Sequence, residues 1–114
     1  MMQTDLQSAC GRVLVAEDSP TQAELLREVL AGAGYDVQVT SNAEAALAAA
    51  RSALPCVIIS DVVMPGMDGF ALCHAVRADP ALRHLPLMLV TSLNEPDDIL
   101  RALESGADNF IRKV

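Results

Sequence analysis

Short apolar runs alternate with helical stretches along almost the whole chain, and this alternation most constrains the fold. We predict five strands, at Val13–Ala16, Val37–Thr40, Cys56–Ser60, Leu87–Val90 and Asn109–Arg112. Helical patterns fill the intervals, at Pro20–Ala31, Asn42–Ala53, Gly69–Ala78 and Glu95–Ser105. Strands that alternate with helices form βαβ units, in which the strands run parallel. The pattern therefore predicts one α/β domain with a doubly wound, five-stranded parallel sheet.

Local signals support the placement of the first two helices. Ser19-Pro20-Thr21-Gln22 has the form of a capping box with Pro at the first helical position. Ser41-Asn42-Ala43-Glu44 repeats the Ser-x-x-Glu form, so we predict Ser41 as the second cap. The first helix is predicted to face the core with the apolar stripe Leu25, Leu26, Val29 and Leu30.

The charge of the chain argues against nucleic acid as a partner. The formal net charge is −7 at pH 7, whereas phosphate backbones recruit basic surfaces. The longest apolar runs are strand-sized, so no transmembrane helix and no membrane partner is expected. The first ten residues lack the basic region and hydrophobic segment of a signal peptide. We expect residues 1–10 to be a flexible leader and residues 11–114 to form the domain.

The three cysteines, Cys10, Cys56 and Cys73, form no CxxC pair and have no metal-ligand spacing. An odd number of cysteines in a chain of this size is typical of free thiols in a reducing compartment. Together with the missing signal peptide, this predicts a cytoplasmic protein.

Polar residues follow four of the five predicted strands. Glu17-Asp18 follows the first strand, Asp61 the third and Thr91 the fourth, and the only lysine, Lys113, follows the fifth. The carboxyl ends of parallel strands share one edge of the sheet, where ligands bind in such folds. Solvated loop ends are the alternative explanation, but they do not explain why the only lysine falls on this edge.

Three clustered carboxylates would repel one another unless a proton or a cation joined them. Oxygen ligands that leave room for water suit Mg²⁺, the cofactor we predict. A cation beside Asp61 would let this carboxylate attack phosphorus, with Thr91 and Lys113 meeting the developing charge. Neither GxGxxG nor GxxxxGK[ST] is present, so direct nucleotide binding by backbone amides is not expected.

The segment Asp61-Val62-Val63-Met64-Pro65-Gly66-Met67-Asp68-Gly69 resembles the phosphoacceptor loop of receiver domains in two-component response regulators. Glu17-Asp18, Thr91-Ser92 and the segment 106–113 match the other motifs of that family in order and spacing. The resemblance runs from about Arg12 to the end of the chain. It implies the flavodoxin-like strand order 2-1-3-4-5.

The resemblance also implies a role for each site residue. Asp61 would be phosphorylated, and Asp18 and Asp61 would bind Mg²⁺ directly. The backbone carbonyl of Val63 would be a further ligand, and Glu17 would act through water. The switch and phosphate-contacting residues would be Thr91, Phe110 and Lys113, although ordinary strand packing would also explain Phe110.

The same resemblance implies a phosphohistidine donor, on a sensor histidine kinase or a phosphotransfer protein, and an output protein that the sequence does not name. Such a domain is a signalling switch that assists its own phosphoryl transfer, rather than an enzyme. Val63 and Leu93 are apolar where polar side chains would help to position an attacking water. We therefore expect slow autodephosphorylation.

Two departures from the family pattern stand at the end of the sequence. Val114 takes the place of the usual proline after the lysine, and the family's fifth helix is absent from the given chain. An uncovered apolar patch on the sheet would follow. We expect this patch to drive self-association, unless the chain is a piece of a longer protein.

Two other classes of function stay open at this point. A pseudo-receiver would bind partners without taking a phosphoryl group, but the intact acidic residues argue against it. An aspartate-nucleophile phosphohydrolase usually carries a second Asp two residues after the nucleophile, and Val63 occupies that position here.

Overall fold

The computed structural model describes residues 11–91 and 96–112 of the chain. Within these ranges the elements are β1 (Arg12–Ala16), α1 (Pro20–Gly32), β2 (Asp36–Thr40), α2 (Ala43–Ser52), β3 (Val57–Asp61), α3 (Gly69–Ala78), β4 (Leu87–Thr91), α4 (Pro96–Ser105) and β5 (Asn109–Arg112). Every predicted strand and helix is present. The predicted leader, residues 1–10, lies outside the described residues, as do Leu93 and Lys113.

All five strands pair in parallel, in the order β2-β1-β3-β4-β5. This confirms the predicted doubly wound sheet and its flavodoxin-like order. The chain first moves outward from β1 to β2 and then returns to place β3 on the other side of β1. The topological switch point, at which the strand order reverses, therefore lies between the carboxyl ends of β1 and β3, where Ala16 is opposite Ser60.

Helices cover both faces of the sheet because strand side chains alternate between the two faces. On one face, Leu14 and Ile58 pack in the larger core with buried residues of α2 and α3, such as Leu47 and Leu72. On the other face, Val13, Val15 and Ile59 form a smaller core, and side chains of α1 pack against it. Packing on both faces of the sheet therefore fixes the carboxyl ends of the strands, where the predicted site residues lie.

The helix caps agree with the sequence at α1 and differ at α2. The Ser19 hydroxyl accepts a hydrogen bond from the Gln22 N–H at 3.3 Å, with Pro20 as the first helical residue. The prediction of Ser41 as the second cap is wrong: Asn42 is the cap, and its Oδ1 accepts from the Ala45 N–H at 2.7 Å. The helix begins one residue later than the Ser-x-x-Glu form indicates.

The predicted apolar stripe of α1 is only half correct. Leu26 and Leu30 pack against the smaller core, but Leu25 is 53% exposed and Val29 is 70% exposed. Successive helical residues are rotated by about 100°, so Leu25 and Val29 lie to one side of the pair that meets the sheet. The face of α1 that packs on the sheet is therefore narrower than the arc that the four residues span.

An apolar groove lies on the α1 side of the sheet, with a cavity volume of about 340 Å³. Its lining includes Leu30, Tyr35, Val57, Ile59, Pro86 and Met88. The position agrees with the apolar patch expected from the sequence.

The cysteines differ from the prediction of free thiols. Cys73 is free and buried, and burial raises its pKa to about 11. Cys56 is disulfide-bonded, so the prediction is wrong for this residue.

A membrane-spanning helix would need a long apolar stretch, and no helix in the described part of the chain has one.

Candidate functional site

The carboxylates of Glu17, Asp18 and Asp61 come together at the switch point. One carboxylate oxygen from each lies within 4.8 Å of the others. Glu17 is only 3% exposed and Asp61 9% exposed, whereas Asp18 is open to solvent. One side of the cluster is therefore buried against the sheet, and the other side is accessible from solvent. This is the acidic site that the sequence predicts.

Backbone and side-chain hydrogen bonds at the end of β1 position Glu17. Its N–H donates to the Thr40 carbonyl at 3.0 Å, which extends the β1–β2 pairing by one residue. The Thr40 hydroxyl donates to the Val15 carbonyl at 2.8 Å. The Ser19 N–H donates to Glu17 Oε2 at 3.2 Å, so the first turn before α1 also orients this carboxylate.

Asp61 is the last residue of β3, and the β3–α3 loop (residues 62–68) follows it. Gly69 closes this loop, since its N–H donates to the Val62 carbonyl at 2.8 Å. A Cβ at Gly69 would lie 2.4 Å from the Asp61 backbone oxygen, so only glycine allows this approach. Gly66 has a φ of 75°, a conformation that also favours glycine.

Asp68 begins α3 as its N-cap. One of its carboxylate oxygens accepts a hydrogen bond from the Ala71 N–H at 2.8 Å. Phe70 is buried in the larger core. These two residues fix the end of the loop that starts at Asp61, so the strand end and the helix start form one rigid unit.

The other predicted site residues lie on neighbouring strands. Thr91 is completely buried and follows Val90, which is opposite Asp61 in the β3–β4 pair. Phe110 of β5 is opposite Leu89 of β4 and packs, partly buried, against the larger core. Val63 is 55% exposed beside the site. Lys113 follows β5 and lies outside the described residues.

The three carboxylates fit a divalent cation. Charges of the same sign at this separation repel one another, and a bound cation removes that cost. All three donors are oxygens, which hard cations such as Mg²⁺ prefer, and the exposed side leaves room for water ligands. Glu17, Asp18 and Asp61 each offer one carboxylate oxygen to such an ion.

Sequence reasoning missed Arg77, which connects three parts of the fold. Its Nε donates to the Gly106 carbonyl at 2.9 Å. Its Nη1 donates to the carbonyls of Leu85 at 2.8 Å and Arg83 at 3.1 Å. Its Nη2 contacts Asp108 at 2.9 Å. Three of these partners are backbone carbonyls, which every residue has, so no local sequence pattern reveals them.

The fold and site together define a class: a flavodoxin-like α/β protein with a carboxylate cluster at its switch point. The family model of the response regulator receiver domain matches residues 13–114. The chain belongs to this family and is a receiver domain of two-component signalling. Domains of this family are signalling switches, and the family match confirms the resemblance found in the sequence.

Relatives and solved structures agree with this assignment. Response regulator PleD of Caulobacter vibrioides is 41% identical over 103 residues, which are 90% of this chain and 23% of PleD. The signal receiver domain of a signal transduction histidine kinase from Syntrophus aciditrophicus is 46% identical, with a TM-score of 0.85 over 91% of this chain and 79% of that one. Chemotaxis protein CheY4 of Vibrio cholerae is 33% identical, with a TM-score of 0.86 over 91% of this chain and 87% of that one. The chain thus spans about a quarter of PleD.

Proposed function

We propose that Asp61 accepts a phosphoryl group and that Asp18, Asp61 and the Val63 carbonyl hold Mg²⁺ directly, with Glu17 acting through water. The observation that carries this proposal is the convergence of the three carboxylates within 4.8 Å at the switch point. When bound, Mg²⁺ supplies positive charge that neutralises the carboxylates and the incoming phosphoryl oxygens. The receiver domain in this proposal comprises residues 11–114, after a leader of residues 1–10.

The chemical step is a transfer between two side chains. A carboxylate oxygen of Asp61 forms a bond to phosphorus while the bond from phosphorus to the donor's histidine nitrogen breaks, and the imidazole leaves. The Thr91 hydroxyl and the Lys113 ammonium then bind phosphoryl oxygens. When Thr91 moves towards the phosphoryl group, the Phe110 side chain moves after it, and this movement changes the surface around α4 and β5. The full burial of Thr91, at the end of the strand next to Asp61, supports this assignment.

The proposed partners follow from this step. A sensor histidine kinase or a phosphotransfer protein supplies the phosphohistidine, and an output protein reads the altered surface. The protein acts in the cytoplasm, where such kinases present their phosphohistidine. The apolar groove beside β1 and β3 supports a further part of the proposal, which is self-association.

Labelling with acetyl phosphate tests the proposed acceptor. We expect Mg²⁺-dependent incorporation of one phosphoryl group per chain, measured by intact mass, and no incorporation in Asp61→Asn. Asp36→Asn is the matched control, because Asp36 is an exposed carboxylate at the start of β2, away from the carboxyl ends of the strands where the acidic site lies. Mg²⁺ should also raise the melting temperature of the wild type but not that of Asp61→Asn, since ligands stabilise the state that binds them.

The outcome of this labelling also separates the alternatives. A wild type that takes no label under any donor, including phosphoramidate, would identify a pseudo-receiver. Many turnovers on foreign phosphate esters would identify a phosphohydrolase. Either result would overturn the proposed function.

The lifetime of the phosphorylated form depends on the side chains that position water. Val63 is exposed beside the site, and its side chain has no polar atom that could hold an attacking water. We expect a half-life of minutes or longer, and Val63→Gln should shorten it roughly tenfold, which is less than the roughly hundredfold minimum for a general acid or base because an amide only positions the water and takes no proton. Intact mass measured over time, which follows the loss of the phosphoryl group, gives the half-lives of the wild type and of Val63→Gln.

Leu54→Gln is the matched control for this substitution. Leu54 is also 55% exposed but lies between α2 and β3, at the other end of the sheet. The lifetime of its phosphorylated form should equal that of the wild type. A wild-type half-life of seconds, or the same lifetime in Val63→Gln, would contradict slow autodephosphorylation.

A further inference from the structure

Arg101 connects α4 to the residues that follow the acidic site. Its guanidinium carbon lies 4.4 Å from the centre of the Phe70 ring, within the range of a cation–π contact. Its Nη2 lies 3.8 Å from Asp68 Oδ2. We call these three residues the Arg101 clasp. The receiver fold and the proposed phosphoryl chemistry do not require this contact.

The two ends of the clasp differ in how firmly they are held. Phe70 is buried in the larger core, and Asp68 caps α3 with its other carboxylate oxygen. Between them, Gly69 is hydrogen-bonded to Val62, the residue directly after Asp61. The anchor of the clasp is therefore the rigid unit that carries Asp61.

The other end of the clasp is on a helix that exposes two of its described leucines. Helix α4 packs mainly against α3, and its Leu100 and Leu103 are exposed to solvent. Exposed apolar side chains contribute little hydrophobic stabilisation. Among the described side chains of α4, Arg101 is the one that joins the middle of the helix to Phe70 and Asp68.

Open space surrounds the Arg101 side chain on both sides. One cavity of about 320 Å³ extends towards His74 and Glu104, and another of about 250 Å³ extends towards Val62 and Val63. Both cavities are lined by the clasp residues. The side chain can therefore leave the Phe70 ring without displacing any packed group.

We propose that the Arg101 clasp is a latch that holds α4 in the unphosphorylated arrangement and so opposes phosphorylation of Asp61. The latch rests on the proposed function, in which Thr91 moves toward the phosphoryl group. Only four residues separate Thr91 from the start of α4, so in this proposal a movement of Thr91 displaces the helix. A contact that favours one arrangement resists the other by the same free energy.

Hydrogen exchange of the unphosphorylated full chain tests whether the clasp holds α4. In Arg101→Ala, the amides of residues 96–105 should exchange about three- to fivefold faster, the factor that an exposed cation–π contact provides. Arg101→Lys should show a smaller increase, because an ammonium keeps the charge but lacks the planar group that stacks on the ring. Amides of β1 and β3 should not change in either variant.

Labelling with acetyl phosphate and Mg²⁺ tests whether the latch opposes phosphorylation. Arg101→Ala should label about three- to fivefold faster than the wild type, in line with the released contact. Arg51→Ala is the matched control: Arg51 is equally exposed and forms an ion pair with Asp79, remote from α4. This variant should match the wild type in both measurements.

The two measurements separate the possible failures. Unchanged exchange in α4 would overturn the latch. Faster exchange with unchanged or slower labelling would overturn its opposition to phosphorylation. A wild type that takes no label would refute the proposed function and the regulatory role together, while the exchange data would still decide whether the clasp holds the helix.

Discussion

Gly69→Ala is expected to lower the free energy of unfolding by about 3 kcal/mol, the upper part of the range for overpacked sites. The added Cβ would lie 2.4 Å from the Asp61 backbone oxygen and 2.8 Å from the Val62 Cα. Both neighbours are backbone atoms, so no side-chain rotation relieves the overlap. Either α3 or the end of β3 must move, and the urea midpoint measures the cost.

The same substitution should also weaken the acidic site. A displaced β3 end moves Asp61 away from Glu17 and Asp18, whose positions depend on β1. We therefore expect a smaller Mg²⁺-dependent rise in melting temperature and slower labelling. Gly32→Ala is the control, because no atom lies within 4 Å of its added Cβ. It should be neutral or stabilising by up to about 1 kcal/mol, since alanine favours a helix. A Gly69→Ala protein with wild-type midpoint and labelling would contradict this account.

Arg77→Ala is expected to lower the free energy of unfolding by about 3 kcal/mol, because several hydrogen bonds from one charged group are lost together. The Arg77 side chain is only 26% exposed. In the variant, water can therefore replace only part of the hydrogen bonding that the carbonyls of Gly106 and Leu85 lose. Asp108 would also lose its guanidinium partner, although it still accepts from the Leu87 N–H at 2.8 Å. Urea denaturation, with an unchanged dependence on denaturant, measures the loss.

Two further variants show whether the geometry of Arg77 matters. Arg77→Lys should recover only a minor part of the loss, since one ammonium cannot reach four acceptors in different directions. Arg83→Ala is the control: Arg83 contributes only its backbone carbonyl to this network, and the substitution keeps that carbonyl. A surface change of this kind should cost less than about 0.5 kcal/mol. A loss below 1 kcal/mol in Arg77→Ala would show that Arg77 is not a central connection.

The position of Arg77 has a consequence for signalling. It joins the end of α3 to the turn between α4 and β5, where Gly106 and Asp108 lie. Arg101 joins the start of α3 to α4 from the other side. Within the described part of the chain, α4 and the turn after it are thus joined to α3 by a tight network at the carboxyl end of α4 and by an exposed contact near its middle. In the proposed switch, the tight network serves as the pivot and the Arg101 clasp as the releasable contact.

Much of the site was predictable because its residues follow strands directly. A polar residue after an apolar run predicts a strand end, and parallel strands place all such ends on one edge. Glu17, Asp18 and Asp61 could therefore be placed together from the sequence, and the structure brings them within 4.8 Å. Gly69 stood in the motif that carries the resemblance, but the atoms that require a glycine there appear only in three dimensions.

The amino-acid sequence by itself determined the order and type of the elements, the parallel sheet and the acidic edge. These features follow from periodicity and from the chemistry of neighbouring residues, which act over a few positions. Only the tertiary structure decided that Leu26 and Leu30 face the sheet while Leu25 and Val29 do not. It also decided that Arg77 and Arg101 connect distant segments. The physical reason is that the surface on which a helix packs and the acceptors that an arginine binds are both assembled from residues far apart in the chain.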